Sequence, residues 1–129
     1  MQICNNMILG IQMTAVAEGI SMGEKLGMDP KILNEVLSVS TSGCWSTRVQ
    51  CPRPGVIETS PSSNDYNGGF MTALMRKDMS LAMEAAENAG ASVEFGQKAM
   101  EYYIEVEKKG FGGKDFGYVY QYIHKNKKL

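Results

Sequence analysis

The amino-acid sequence predicts an all-α domain, and three observations carry that prediction. Apolar residues recur at helical spacing through each long segment. No stretch alternates apolar and polar residues for the length of a strand. Gly27, Asp29-Pro30, Gly90 and Gly110 punctuate the chain into helix-sized pieces. With 129 residues, 43% of them hydrophobic, the chain is long enough for one domain with its own core.

The first helix is expected from about Ile3 to Leu26. Its apolar residues Met7, Leu9, Ile11, Val16, Ile20 and Met22 are spread around the helix, which predicts burial on most faces. Gly10, Ala15, Ala17, Gly19 and Gly23 let neighbours approach closely, and Gly27 is a natural C′ stop. "MDPKILNEVLSVS" then opens a second helix with Asp29 as N-cap, Pro30 at N1 and an apolar face of Ile32, Leu33, Val36 and Leu37. "TSGCWSTRVQ" reads as a short helix entered after Ser42-Gly43. The stretch from Cys51 to Gly69, with Pro52, Pro54 and Pro61, reads as a long irregular connection, a class that is often functional. From Phe70 the helical period returns through Leu74, Met75, Leu81, Ala82 and Ala85 to a stop at Gly90. A further helix is expected from an N-cap at Ser92 to Gly110, and "GKDFGYVYQYIHKN" closes the chain as a last amphipathic helix.

Composition excludes several functions. A net charge of −1 without blocks of like charge argues against nucleic acid and acidic membranes as partners, and "HKNKKL" reads as a solvated tail. Cys4, Cys44 and Cys51 are odd in number and lack C-x-x-C spacing, which argues against a disulfide framework or a metal site and for a reducing compartment. The lone histidine, His124, reads as a surface or capping group. The start of the chain has neither signal-peptide nor transit-peptide character, and no segment is apolar for the length of a membrane span. The ten methionines read as flexible core filling, with a Met-lined ligand surface as the alternative.

Three constellations carry potential chemistry. In "CNNM", Asn5 and Asn6 interrupt an apolar helix. They either fix packing through hydrogen bonds or project a carboxamide into a cleft. In "FMTALMRKDMSLA", Phe70 and Lys77 are seven apart, two turns along one helix face. Lys77 suits a phosphate, carboxylate or ribose, and Asp78 can orient a partner; the plain alternative is an exposed ion pair. In "STSGCWS", Ser42 and Gly43 offer a hydroxyl and a backbone N–H to a carboxylate, and Trp45 either walls a pocket or packs in the core.

Taken together and in order, "ICNNMILGIQMTAVAEGISMGEKLGMDPKIL", "SGCWS", "PGV", "NDYNGGFMTALMRKDMSLA" and "KDF" resemble the C-terminal domain of the β-hydroxyacid dehydrogenase family, and within it the 3-hydroxyisobutyrate dehydrogenases. The likeness covers nearly the whole chain. It implies a helical bundle around one long N-terminal helix, like the C-terminal domain of 6-phosphogluconate dehydrogenase, preceded in the family by a Rossmann domain. No G-x-G-x-x-G follows a strand here, so residues 1–129 are expected to be the substrate-binding and oligomerising domain, with the Rossmann domain absent. The resemblance implies NAD as cofactor, bound mostly by that first domain, and a small hydroxy acid as substrate, oxidised to a semialdehyde in valine breakdown. It also implies a homo-oligomer, dimer or tetramer, in the mitochondrial matrix. Relatives that act on tartronate semialdehyde, glyoxylate or succinic semialdehyde share much the same motifs.

Residue by residue, the resemblance places Asn6 at the family's active-site asparagine and Lys77 at a cofactor-contacting lysine. Asp78 and Phe70 fall beside the cofactor, and Ser42, Gly43 and Trp45 near the substrate. The family's catalytic lysine position holds Gln2, which carries no proton to exchange. Two expectations follow. Either the chain is a piece whose lysine belongs to a missing first segment, as the abrupt uncapped helix suggests, or it is a separate non-catalytic helical interaction domain.

Overall fold

The computed structural model describes residues 1–125. The long first helix, α1 (Gln2–Lys25), is the axis of the bundle. It touches α2 (Pro30–Val39), α3 (Trp45–Arg48), α4 (Thr72–Ala89), α5 (Glu94–Val106) and α6 (Val119–Lys125). Among the described residues no strand forms, and a single isolated bridge joins Met71 to Asp115. The all-α expectation holds. No described helix is long and apolar enough to cross a membrane. Beyond Lys125 the expected solvated tail lies outside the described residues.

The punctuation of the sequence becomes caps. Gly27 takes φ 91° after α1, and its N–H bonds Glu24 O at 2.9 Å while the Met28 N–H bonds Gly23 O at 2.9 Å. That pair of bonds satisfies carbonyls the helix end would otherwise leave open. Asp29 Oδ1 accepts the N–H groups of Lys31 (2.9 Å) and Ile32 (3.1 Å), so the predicted N-cap of α2 is present. Gly90 ends α4 at φ 69°. Ser92 is not the N-cap of α5: Val93 holds that place without a side-chain cap. Past Val106 the helix widens into one π turn, Glu107–Phe111, and Gly110 at φ 94° turns the chain away.

The core is built where small residues let α1, α4 and α5 close up. Met13, Ala17, Ile20, Met75, Met79, Ala99, Tyr103, Phe116 and Val119 are buried together. A Cβ on Gly10 would stand 2.7 Å from Met79 Sδ, and one on Gly96 would stand 2.8 Å from Met83 Cε. Flexible methionines fill those glycine gaps, which is the core-filling role expected of them. The Tyr103 hydroxyl, buried in the same layer, donates to Gly10 O at 2.7 Å.

Several predicted faces are not buried. Ile3, Ile8 and Met22 of α1 are exposed, so this helix is apolar on more sides than the bundle covers. On α2 only Leu33 and Leu37 turn inward by half, while Ile32 and Val36 are exposed. Leu74, Leu81 and Ala85 likewise lie outside the buried stripe of α4, which is Met75, Met79, Ala82 and Ala86. His124 is not a surface group: its Nδ1 pairs with Ser21 Oγ at 2.8 Å and its ring stacks on Tyr120. Close by, Arg53 grips Glu24 with two nitrogens (3.1 and 3.2 Å) and the Tyr120 hydroxyl donates to the same carboxylate, fastening α6 to the end of α1. Burial alone would raise the Glu24 carboxyl, but the Arg53 and Tyr120 bonds outweigh it and hold it below its usual range.

The predicted single last helix is instead three pieces. Lys114-Asp115 is extended, Phe116–Tyr118 is a 3-10 turn, and α6 follows. Asp115 makes the break. Its buried carboxylate accepts the N–H of Phe70 (2.9 Å), the N–H of Gly117 (2.9 Å) and the Gln50 amide (3.1 Å), while its own N–H reaches Tyr66 O at 2.8 Å. The long 51–69 connection, predicted to be irregular, is thereby packed down, with Cys51, Pro52, Ser60, Ser62 and Tyr66 buried and a 3-10 turn at Pro61–Asn64.

Asp115→Asn should therefore destabilise the domain by about 1–3 kcal/mol at neutral pH, because an amide NH2 is set against a backbone N–H. Burial also holds the Asp115 carboxyl above its usual range, against the pull of the donors around it. A carboxyl raised on folding makes stability fall as pH rises through its folded pKa, so the gap between wild type and variant should narrow as pH rises. Urea unfolding followed across the carboxylate range checks both the size and the direction.

Candidate functional site

The close approach at Gly10 decides what happens one turn earlier on α1. There the two helices are near enough for Asn6 Nδ2 to donate to Asp78 Oδ2 at 2.8 Å. Asp78 stands three residues from Met75 and one from Met79, at the edge of the buried stripe of α4, so it is half-buried. Lys77, one position further round, is exposed and makes no ion pair among the described residues. The ion pair that is the plain alternative for Lys77 and Asp78 is not formed among the described residues, and Asp78 serves the Asn6 amide instead. Asn5 is exposed and donates weakly to Asn6 Oδ1 at 3.3 Å. The two asparagines of "CNNM" thus differ: Asn6 is oriented by a carboxylate, and Asn5 faces outward beside it. Gln2 is exposed, one turn ahead of Asn6 on the same helix.

Trp45 reaches the same helix from α3. This short helix is pinned to α2 by Asn34 Nδ2 and Ser38 Oγ, which both donate to Thr47 O (2.9 and 3.0 Å). The Thr47 hydroxyl in turn accepts the Cys44 N–H at 2.9 Å and donates to Cys44 O. Gly43 is needed there because a Cβ would stand 2.6 Å from Ser38 O, a backbone atom that cannot give way. Its N–H donates to Ser40 O at 3.0 Å. The backbone N–H expected to be free for a carboxylate is therefore committed to the turn. Trp45 then projects toward α1 and stacks on Phe116 with ring centres 6.4 Å apart; Phe70 packs edge-on against the other part of Phe116 at 5.9 Å.

Phe70 does not share a helix face with Lys77, since α4 begins only at Thr72. It sits behind Trp45 in the aromatic row, half-buried, with its N–H held by Asp115.

Between Trp45 and α1 lies a cleft of about 270 Å³ lined by Asn5, Ile8, Leu9, Gln12 and Trp45. Ser42 is not in it. Ser42 lines a neighbouring cavity of about 240 Å³ with Gln12, Val16, Leu37 and Cys44. Of the expected site residues, Asn6 and Asp78 are joined by a hydrogen bond, Lys77 is exposed next to Asp78 on α4, Trp45 walls a cleft with Asn5, Phe70 packs on Phe116 behind Trp45, and Ser42 and Gly43 stand outside that cleft. Gln12 and Asp115 were not anticipated. Gln12 had a signal, seven residues beyond Asn5 on one face; the buried acceptor role of Asp115 had none. No group of three or more His, Cys, Asp or Glu side chains among the described residues is arranged to hold a metal. Burial pushes the Cys51 thiol up to about 11, so it is inert at neutral pH.

The chain is similar to known proteins over most of its length. A family model described as "NAD-binding of NADP-dependent 3-hydroxyisobutyrate dehydrogenase" matches residues 1–123. A Dictyostelium discoideum protein named "Probable 3-hydroxyisobutyrate dehydrogenase, mitochondrial" is 46% identical over 125 residues, covering 97% of this chain and 39% of the relative. The Homo sapiens mitochondrial 3-hydroxyisobutyrate dehydrogenase is 42% identical over 122 residues, covering 95% and 36%. A structure of Mycobacterium tuberculosis 3-hydroxyisobutyrate dehydrogenase with L-serine superposes with a TM-score of 0.90 at 38% identity, over 95% of this chain and 42% of that one. The chain thus spans less than half the length of the relatives it matches.

If Asp78 orients Asn6, the two side chains are energetically coupled. A double-mutant cycle with Asn6→Ala and Asp78→Ala should give a coupling of about 1–2 kcal/mol in unfolding free energy, as for a partly buried bond to a charged acceptor. Additive losses would show that the contact carries no energy.

Proposed function

The chain belongs to the 3-hydroxyisobutyrate dehydrogenase family, and on that premise we propose that it is the substrate-binding and oligomerising part of an NAD-dependent enzyme that oxidises 3-hydroxyisobutyrate to methylmalonate semialdehyde. The observation that carries this reading is the Asn6–Asp78 bond at 2.8 Å, with Lys77 beside it and the Trp45 cleft adjoining.

The chemistry follows from what the residues offer. Alcohol oxidation removes a hydride from carbon and a proton from the hydroxyl. NAD, when bound, takes the hydride. With Asn6 Nδ2 committed to Asp78, its Oδ1 and remaining N–H are presented in a fixed orientation, able to accept from and donate to the substrate oxygen. The free Lys77 ammonium fits an anionic cofactor or substrate, because no internal carboxylate neutralises it among the described residues. Ile8, Leu9 and Trp45 give the aliphatic body of a small acid an apolar wall. The hydroxyl proton needs a base. Gln2, at the family's lysine position, cannot serve, and the described residues form no dinucleotide-binding sheet. We propose that a preceding domain supplies the dinucleotide-binding sheet, that the active enzyme needs a lysine where Gln2 stands, and that the complete enzyme works in the mitochondrion, as the names of its relatives state of them.

The exposed apolar residues favour self-association as a second property of the same domain. Ile32, Val36 and Val39 of α2 are 62%, 55% and 87% exposed and form one ridge. An apolar ridge of this kind tends to be covered by a partner, and a second copy is the proposal here.

Two experiments test the reading. The 129-residue chain alone should show no NAD-dependent oxidation of 3-hydroxyisobutyrate. Joined behind the dinucleotide-binding domain of a family member and carrying Gln2→Lys, it should gain activity by about 10²–10⁴-fold over the same chimera with Gln2. In that chimera Asn6→Ala should lower kcat/KM, whereas Lys77→Ala should chiefly raise the KM for NAD. A fully active Asn6→Ala chimera would place the asparagine in packing alone. Sedimentation should show the chain as an oligomer at micromolar concentration and Val36→Glu as a monomer; a monomeric wild type would contradict the second property.

A further inference from the structure

Gln12 stands between the two cavities on α1. On one side are Asn5, Ile8, Leu9 and Trp45; on the other are Val16, Leu37 and Gly19. Its Oε1 is buried and has no hydrogen-bond partner among the described residues. A buried amide oxygen left unpaired is unfavourable, and a side chain held by no such bond swings without losing one. Neither cavity is lined by a charged residue, and the surface of the one beyond Gln12 is mostly apolar although Ser42, Cys44 and Thr47 also line it. Asn5, Ile8, Gln12, Val16 and Gly19 follow one face of α1, so the two cavities are successive segments of one groove. Asn5 and Gln12 lie about 10 Å apart along the helix, and Gly19 lies a similar distance further on.

We propose that Gln12 is the gate that sets the length of the acyl chain this site accepts. This rests on the reading of the cleft between Asn5 and Trp45, beside Asn6, as the place where the hydroxy acid binds. A short branched acid ends before Gln12. A straight-chain 3-hydroxy acid of medium length reaches past it only if the side chain swings aside, and its tail then lies against Val16, Gly19 and Leu37. Gln12 is a specificity-determining residue: it touches the remote end of the chain and takes no part in the oxidation. Shortening it joins the two cavities.

Trp45, the single tryptophan, lines the cleft and reports binding directly. The test is a fluorescence titration of the 129-residue chain with 3-hydroxyisobutyrate and with 3-hydroxyoctanoate, in wild type, Gln12→Ala and Gln12→Met. Each methylene newly buried is worth about fourfold in affinity, so Gln12→Ala should tighten 3-hydroxyoctanoate by about tenfold or more and shift 3-hydroxyisobutyrate by less than about twofold. Gln12→Met keeps the bulk and should keep the wild-type ratio of the two affinities. Gln12→Ser opens the same passage and replaces Gln12→Ala if that variant fails to fold by circular dichroism. If both acids bind and the ratio is the same in the opened variant, the gate is overturned while the site stands. If neither acid perturbs Trp45 in any variant, the reading of the cleft itself falls and takes the gate with it.

Discussion

The Asp115 carboxylate holds together parts of the chain that are far apart in sequence: the start of α4 through Phe70, the turn before α6 through Gly117, and the end of α3 through Gln50. These bonds set Phe70 and Phe116 against each other, and Phe116 is the surface on which Trp45 stacks. The wall of the cleft therefore depends on a carboxylate that never reaches it. Burying a charge is unfavourable unless donors surround it, and here two backbone N–H groups and an amide do so. The same arrangement explains why the chain does not run straight from residue 113 into one helix. A continuous helix would withdraw the Gly117 N–H from Asp115 and carry Phe116 away from Trp45.

The second constraint is steric. Gly10 lets the sulfur atoms of Met75 and Met79 lie against α1, and one turn away this proximity becomes the Asn6–Asp78 bond. Packing and chemistry are thus linked along α1. Its middle carries the buried face, Gly10, Met13, Thr14, Ala17 and Ile20, that fixes the helix, while its first turns stay open and carry polar groups. A rigid helix that is anchored at its centre and bare at its start positions a side chain more tightly than a loop does. The π turn at Glu107–Phe111 and the Glu24–Arg53–Tyr120 cluster serve the other end, where they hold α5 and α6 around the same axis.

Much of this was legible in the sequence because it is local. Asp29-Pro30, Gly27 and Gly90 fix helix ends by backbone geometry alone, and each acts where its type predicts. The bond between Asn6 and Asp78 was not anticipated, since 72 residues separate them and no periodicity connects two helices; the resemblance named both residues but did not pair them. What the sequence concealed is what depends on partners. The Gly43 N–H is spent on Ser40, Ser42 turns into the neighbouring cavity, and Phe70 lies before its helix rather than on it. Apolar pattern also overstated burial. Ile32 and Val36 have the right spacing for a core face, but the spacing does not say whether the core is in this chain or in another copy.

The central claim is that the open end of α1, Asp78 and Trp45 form the substrate half of a hydroxy-acid dehydrogenase site. Titrating the isotopically labelled chain with 3-hydroxyisobutyrate, and reading each amide and the Trp45 indole by NMR, tests it most directly. The account predicts shifts centred on Asn5, Asn6, Ile8, Leu9, Lys77, Asp78 and the Trp45 ring. Shifts gathered instead around the separate cavity of Phe111, Tyr118 and Tyr122, or no shift at saturating acid, would contradict it.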